Sequence, residues 1–277
     1  MSSRVRTPPI AEHEIAEANA DAAATSNPTS RTMAILTAFA DQSEWGVRQL
    51  AAYTSLPRSS VHRILVELAD GGYLRPQAEG SYRVTPALLR FALDLAANFR
   101  VPRIAEPHLE AARDACGETV VLVMYDRGRR QITGVAAAES IQPVRYAWEA
   151  TRAFMDLYLG ASGKGVLAFL PDDERDEILN NLPAGLPRSS KATLLKELAT
   201  IERRGWAQSS GERAVGADGI CAPVFGTAGV VIGGVLIAWP HGRRDQQQIA
   251  EIGMLAQRTA RTISSEVGCP PGALPAL

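Results

Sequence analysis

A helix with a polar, positively charged outer face is predicted directly after Pro57. Proline suits the first position of a helix, and about 100° of rotation per residue from Val61 brings Ser59 and Arg63 opposite the apolar stripe. The outer face of its first two turns carries Arg58, Ser59, Ser60, His62 and Arg63. Such a face can enter the major groove of DNA, where hydroxyls and backbone N–H groups contact phosphates and Arg63 reaches base edges.

Two further helices and a hairpin position this face. We predict one helix with Ser30 as its N-cap and a second with apolar residues at helical spacing from Val47. Gly71-Gly72 ends the third helix, and two short strands, 73–75 and 81–84, form a two-stranded wing. Additional DNA contacts are expected from Arg48, Arg75, Gln77 and Arg83. A three-helix bundle with an ordinary solvated surface is the alternative, but the order helix, helix, turn, helix, hairpin favours DNA binding.

A run of small residues at 160–165 is the second segment with chemical potential. A phosphate-binding Walker loop would need glycine at position 158 and Ser or Thr at 165, whereas the chain has Tyr158 and Gly165. A nucleophile elbow around Ser162 fails because Lys164 takes the place of the second glycine. A helix that begins with small residues offers free backbone N–H groups, so we interpret it as a place where a ligand carboxylate can bind.

No catalytic or metal site is expected. The histidines lack an adjacent acidic partner of the kind a catalytic triad needs, and the three cysteines are scattered without a CxxC pair. We therefore predict no catalytic residue, no metal and no cofactor. The alternative function is that of an enzyme, a hydrolase in which the winged helix serves only as a protein-interaction module.

The charge balance excludes a protein that holds polyanions by bulk charge. The chain has 29 Lys and Arg against 30 Asp and Glu, a net charge of −1. Residues 30–90 carry seven basic and five acidic side chains, a net charge of +2. This small excess predicts few phosphate contacts for each copy of the DNA-binding segment. The longest apolar run is about half the roughly 20 residues that span a bilayer, and no signal peptide is present. These features, with the unpaired cysteines, predict a cytoplasmic protein without membrane association.

The predicted fold class is α+β, with five segments along the chain. They are a mobile tail (1–29), a winged helix-turn-helix domain (30–84), a linker and dimerisation helix (85–101), a C-terminal α+β domain (102–268) and a flexible C-terminus (269–277). Helix is expected over 85–116 with an interruption near Pro102. Its apolar stripe of Leu88, Phe91, Ala92 and Leu95 would pack on a second chain or, alternatively, on its own winged helix.

Strands and helices alternate after Glu118. We expect strands at 120–125, 130–138, 206–213, 219–225 and 230–238, and Val144–Trp148 is another alternating segment. Helices are expected at 162–170, 172–181 and 190–204, and a final helix carries Ile249, Ile252, Ala256 and Ile263 on one side. Antiparallel strands flanked by helices predict an α+β domain rather than a doubly wound nucleotide-binding fold.

Three separated motifs resemble those of the IclR family of bacterial regulators. The first lies within 50–84 and includes the run LPRSSVHRIL; the second is GASGKGVLA at 160–168. The third comprises Gly205-Trp206, Glu212 and ICAPVF at 220–225. The resemblance covers roughly residues 30–265. Ser55 stands where the family usually has glycine and Ser60 where threonine is usual.

The resemblance implies a homodimer or dimer of dimers on double-stranded, palindromic operator DNA, with a C-terminal GAF-like domain that binds a small-molecule effector. Transferred by position, the effector site would be lined by Tyr146, Trp148, Met155, Gly160, Ala161, Ser162, Cys221, Leu236 and Ala238. Some relatives that bind small hydrophilic acids carry hydroxyl residues at the positions of Leu236 and Ala238. The expected function is thus regulation of a catabolic operon, as a repressor rather than an activator, controlled by an apolar or aromatic carboxylate-like effector.

Overall fold

The computed structural model describes residues 27–183 and 188–274. The chain forms two compact units, one ending at Asn98 and the other starting at Phe99. The predicted tail, 1–29, lies outside the described residues except for its last three, and residues 275–277 of the predicted C-terminal segment also lie outside them. Each unit has its own hydrophobic core.

Three helices and a three-stranded sheet form the core of the N-terminal unit. The helices are α1 (Pro28–Asp41), α2 (Val47–Thr54) and α3 (Arg58–Asp70), and the antiparallel strands are β1 (Glu44–Gly46), β2 (Leu74–Pro76) and β3 (Ser81–Val84), in the order β1-β3-β2. The helices pack their apolar faces around Trp45, whose indole N–H donates to the backbone carbonyl of Ala38 at 2.9 Å. This arrangement confirms the predicted winged helix-turn-helix.

Details at the helix ends differ from the prediction. Asn27, not Ser30, is the N-cap of α1: its side chain accepts the backbone N–H of Ser30 at 3.0 Å, and Pro28 occupies the first turn. Pro57 is the N-cap of α3 rather than its first helical residue. Strand β1 has no signal in the sequence because three residues are too few to establish an alternation.

Helix α4 (Pro86–Asn98) follows the wing, and none of its residues is buried. Four of its large apolar side chains are between 48% and 59% exposed: Leu89, Phe91, Leu93 and Leu95. The ring of Phe91 meets that of Tyr73 edge-on at 6.4 Å between centroids, so α4 makes some contact with its own winged helix. Most of its apolar surface nevertheless faces solvent.

An antiparallel six-stranded sheet with helices on both faces forms the C-terminal unit, which confirms the α+β class. The strands, in the order β6-β5-β4-β9-β8-β7, are β4 (Thr119–Asp126), β5 (Gln131–Ala138), β6 (Met155–Asp156), β7 (Ala207–Ser210), β8 (Ala217–Phe225) and β9 (Val231–Pro240). The helices are α5 (Arg100–Cys116), α6 (Gly160–Leu167), α7 (Asp172–Asn180), α8 (Arg188–Arg204) and α9 (Gln246–Val267). None of the helices in residues 27–183 and 188–274 is both long and apolar enough to cross a bilayer.

The sheet separates two cores. Successive residues of β4 point to opposite faces, so Val120 and Leu122 pack with α5 and α9, whereas Val121 and Val123 pack on the side of α6. This two-sided burial explains why β4 is a continuous apolar run in the sequence. The predicted stripe of the final helix is buried as expected: Ile249, Ile252, Ala256 and Ile263 all belong to the α5–α9 core.

Several predicted boundaries in this unit are wrong. The helical break falls at Phe99 and not at Pro102. Pro102 lies in the first turn of α5, where backbone N–H groups make no hydrogen bond within the helix, so a proline is tolerated there. The segment 144–148 is not a strand; the backbone carbonyl of Tyr146 instead accepts the hydroxyl of Thr119 at 2.7 Å.

Helix α6 spans 160–167 rather than 162–170, and β7 ends at Ser210, before Gly211 turns the chain with φ of +65°. Strand β6, only two residues long, has no sequence signal.

Candidate DNA-binding surface and effector pocket

Helix α3 presents a continuous polar face to solvent. Val61, Ile64 and Leu65 are at most 2% exposed and fix the inner side of the helix against α1 and α2. The structure places all the predicted α3 contacts at its N-terminal end: Pro57, Arg58, Ser59, His62 and Arg63 are exposed and Ser60 is half-buried. One side of the helix is therefore anchored in the core while the other can reach a partner.

The first turn of α3 is open to an anion. Pro57 provides no side-chain cap, and no acidic residue lies in the turn, so its first backbone N–H groups have no capping acceptor. Among the described residues Arg58 has no hydrogen-bond or ionic partner. Arg63, one turn further, donates from Nη1 to Oε1 of Glu67 at 2.8 Å. These donors and cations suit contacts with phosphates.

The wing holds one arginine in a polar cluster and leaves the others open. Arg83 on β3 donates from Nε and Nη2 to Oε2 of Glu44, at 2.9 and 2.5 Å, and Ser81 donates to Oε1 at 2.5 Å. The hydrogen bonds from Ser81 and Arg83 lower the pKa of Glu44 below its ordinary value. Arg83 therefore fastens β1 to β3 in the free protein. Two other predicted contacts, Arg48 on α2 and Arg75 on β2, are exposed, and Gln77 is half-buried.

A cavity of about 40 Å³, partly open to solvent, lies in the C-terminal unit beside the start of α6. Six of the nine predicted effector residues line it: Tyr146, Gly160, Ala161, Ser162, Leu236 and Ala238. The remaining lining comes from Ser209, Arg213, Ala214, Ala217, Asp218 and Gly219. The walls are thus mainly apolar, with a few polar groups set into them.

Three predicted residues do not line this cavity. Met155 and Cys221 lie in the core beneath α6, and burial raises the pKa of the Cys221 thiol to about 12. Trp148 is half-buried against the same core, and its ring lies 5.4 Å from the guanidinium carbon of Arg152. Cys221 faces the same side of β8 as Gly219, but it lies further along the strand, packed in the core against Gly165 of α6, and so does not line the cavity.

The N-terminus of α6 is already occupied by side chains of the protein. Gly160 donates its N–H to Oε2 of Glu212 at 3.1 Å, and Ala161 donates to Oγ of Ser209 at 2.8 Å. The second oxygen of Glu212 accepts from Nζ of Lys164 at 2.7 Å, and Lys164 also pairs with Glu197 at 2.8 Å. The carboxylate that the sequence leads us to expect from a ligand is therefore supplied by Glu212.

Arg213 is the cation that lines the cavity. Its Nη2 donates to the backbone carbonyls of Asp156 and Leu159, at 3.2 and 2.5 Å. Nε and Nη1 are buried and have no hydrogen-bond partner within the described part of the chain. Burial lowers the pKa of Arg213, while burial raises the pKa of Tyr146 and the nearby charge of Arg213 opposes that rise. No pattern marks Arg213 in the sequence, because it lies in the loop between β7 and β8.

Glycine is required at position 160 for two reasons. Gly160 has a φ of +75°, in the left-handed region that favours glycine. A Cβ at this position would lie 3.2 Å from Nε of Arg213, so a side chain here would press on the guanidinium. The small residue thus lets the start of α6 and Arg213 approach each other at the cavity wall.

The polar groups near the cavity do not form a hydrolytic site. Ser162 is 4% exposed. Ser210 and Asp218 both contact Nδ1 of His241, at 3.1 and 2.9 Å, whereas a catalytic relay needs the serine and the carboxylate on different ring nitrogens. Across residues 27–183 and 188–274, no group of three or more His, Cys, Asp or Glu side chains could hold a metal ion.

These two units define a class of protein, a winged-helix DNA-binding regulator with an α+β ligand-binding domain. Residues 28–78 match the family model described as the IclR helix-turn-helix domain, and residues 94–265 match the one described as bacterial transcriptional regulator IclR C-terminal. The second match alone covers more than half of the chain. The chain belongs to the IclR family of bacterial transcriptional regulators.

Individual relatives agree with this assignment. The transcriptional regulator KipR of Bacillus subtilis (strain 168) is 28% identical over 86% of this chain and 96% of its own length. The DNA-binding transcriptional repressor YiaJ of Escherichia coli (strain K12) is 30% identical over 79% of each chain. An IclR homolog from Microbacterium hydrocarbonoxydans, solved in complex with 4-hydroxybenzoate, has the same fold, with a TM-score of 0.70 and 21% identity over 87% of this chain and 99% of that one. The chain is therefore a transcriptional regulator and not an enzyme, and the hydrolase alternative is unsupported.

Proposed function

We propose that this regulator reads a specific operator through the N-terminal face of α3 and releases it when an effector binds the C-terminal unit. The observation that carries the proposal is the exposed polar face of α3, held outward by its buried apolar residues. Because the target is chromosomal DNA, the protein acts in the cytoplasm. Its targets are expected to be genes of a catabolic operon.

The side chains on this face of α3 are assigned to different parts of the DNA. Arg63 reads a base edge, since a guanidinium can bind guanine through two hydrogen bonds. Pro57 leaves the first turn open, so that Arg58, the two serines and His62 contact the phosphate backbone. Arg48, Arg75 and Gln77 add backbone or minor-groove contacts. Arg83 donates to Glu44 through Nε and Nη2 in the free protein, so it has to leave Glu44 before these two nitrogens can contact DNA.

A second copy of the chain supplies the second reading helix. The exposed apolar residues of α4 would be covered by the same helix of a partner, giving a homodimer or, by further association, a dimer of dimers. A two-fold dimer presents two copies of α3 in opposite directions and so matches a palindromic operator. The net charge of +2 over residues 30–90 is small, so useful affinity requires both copies together.

The effector is a small carboxylate-like molecule with an apolar or aromatic body. The cavity walls formed by Tyr146, Leu236 and Ala238 suit the apolar atoms of such a ligand. A ring as large as that of 4-hydroxybenzoate, the ligand of the Microbacterium homolog, requires the surrounding side chains to move outward. Effector binding would change how the two copies of α3 are spaced. A role as a repressor agrees with the name of the transcriptional repressor YiaJ.

Fluorescence anisotropy with labelled DNA from upstream of the protein's own gene tests the proposal. The wild-type chain should bind this DNA more tightly than a scrambled duplex, and Arg63→Ala should weaken specific binding about 5- to 100-fold because it removes a base contact. Arg203→Ala, which removes an exposed arginine from α8, serves as the matched control and should bind as the wild type does. Unchanged binding by Arg63→Ala would contradict the role of α3.

A further inference from the structure

The guanidinium of Arg213 is the least satisfied buried polar group at the cavity. Two of its three nitrogens, Nε and Nη1, are buried without a hydrogen-bond partner in the described ranges, while Nη2 is fixed by the carbonyls of Asp156 and Leu159. Buried donors of a cation are costly to leave unpaired, because they have lost water and gained nothing in exchange. An acceptor from a bound ligand would satisfy them.

We infer that Arg213 binds the carboxylate of the effector and restricts this site to ligands with a single negative charge. The inference rests on the proposed function, since it takes this cavity to be the effector site. A carboxylate placed against Arg213 forms charge-assisted hydrogen bonds in a partly desolvated place, where such bonds are strongest. Arg213, and not the N-terminus of α6, then determines that the effector is an acid.

The other polar groups of the cavity disfavour a second negative charge. The N–H groups of Gly160 and Ala161 already donate to Glu212 and Ser209, so the start of α6 has no donor to spare at these two residues. The carboxylate of Glu212, bonded to Gly160 and Lys164, already places a negative charge at the start of α6. A dicarboxylate would place its second charge near Glu212 or have to displace Glu212 from Lys164. A monoacid avoids both costs.

Isothermal titration calorimetry on the full chain tests the assignment with three kinds of probe. The probes are the monoacids acetate, butyrate and benzoate, their neutral amides, and the diacid phthalate. We expect at least one monoacid to bind the wild type, with its amide and the diacid at least 10-fold weaker. Arg213→Gln should weaken acid binding about 10- to 100-fold, as expected for the loss of charge-assisted hydrogen bonds, and Arg213→Lys should retain part of it.

Arg203→Gln is the matched control, because it removes an exposed arginine of the same unit and should leave acid binding unchanged. Equal acid binding by wild type and Arg213→Gln, or equal binding of an acid and its amide, would overturn the assignment while leaving operator binding and the effector proposal intact. If no monoacid binds a wild-type protein that still binds operator DNA, both the assigned role of Arg213 and the proposed carboxylate effector are contradicted. A thermal unfolding midpoint of Arg213→Gln close to that of the wild type shows that lost binding is local.

Discussion

Arg63 and Glu67 form an ion pair across one turn of α3, with Nη1 of the arginine 2.8 Å from Oε1 of the glutamate. Their side chains are 57% and 59% exposed, so the pair adds little to stability, at most about 1 kcal/mol. If Arg63 reads a base edge as proposed, it has to leave this carboxylate, and Glu67 then competes with the operator for Arg63.

Removing the charge of Glu67 should tighten operator binding. Glu67→Gln frees Arg63 and takes a negative charge away from the DNA, so we expect about 2- to 5-fold higher affinity, measured by fluorescence anisotropy. Asp94→Asn is the matched control, because it breaks an ion pair of the same spacing with Arg90 on α4. An equal gain in both variants would show a general charge effect instead of competition for Arg63.

A charge on the exposed face of α4 should separate the dimer. Leu95 is 48% exposed although it belongs to the apolar stripe of this helix, and a glutamate there would bury a charge between two copies. We expect Leu95→Glu to sediment as a monomer at concentrations where the wild type is a dimer or larger, and to bind the operator more weakly. Leu195→Glu on α8, where the leucine is 45% exposed, should retain the wild-type assembly. A monomeric wild type would contradict the proposed dimer.

Ser55 closes α2 in a conformation that favours glycine. Its φ of 53° and ψ of 25° lie in the left-handed region, at the position where the family usually has glycine. We expect Ser55→Gly to raise the free energy of unfolding by roughly 0.5–1 kcal/mol in a urea titration, and to leave operator affinity unchanged. Ser43→Gly, a serine of the same unit without positive φ, should give no gain. A loss of stability in Ser55→Gly would disprove the strain.

Asp218 provides a stability contribution that depends on pH. Burial raises its pKa, but hydrogen bonds from His241, Ser210 and Gly242 outweigh burial and leave the pKa below the ordinary value of 3.8. Since the folded pKa lies below the unfolded one, the ionised carboxylate contributes stability above about pH 4, and this contribution is lost as the pH falls through the folded pKa.

The difference in unfolding free energy between wild type and Asp218→Asn measures this contribution. We expect the variant to be less stable at pH 7 and the difference to shrink as the pH falls below about 4. Asp176→Asn, on the exposed side of α7, should match the wild type at both pH values. A difference that stays constant down to pH 3 would mean that Asp218 acts through packing alone.

The elements with a regular apolar period could be predicted from the sequence. The inner face of α3 and the stripe of α9 have one buried side and one solvated side, and this contrast is what a helical period records. Helix α6 is different, because all eight of its residues are buried, including Lys164. A helix without a solvated side gives no period from which to read its ends.

The DNA-binding face and the cavity also differ in how far they could be predicted from the sequence. The residues of the DNA-binding face follow one another on one helix, so local spacing was sufficient to group them. The cavity gathers Tyr146, Gly160, Arg213 and Leu236 from four distant parts of the chain, and only the folded sheet brings them together. The occupation of the α6 start by Glu212 could not be predicted either, because the two lie 52 residues apart. Contacts made across the fold leave no trace in local spacing.

Footprinting of the wild-type chain on DNA from upstream of its own gene tests operator recognition by two copies of α3. We predict two protected segments of inverted sequence, centred about 10 base pairs or a multiple of that apart, with protection lost for Arg63→Ala. The monoacid that binds in calorimetry should reduce the protection. Uniform protection regardless of sequence, or no protection at all, would contradict the proposal that this protein binds a specific operator as a dimer under the control of an effector.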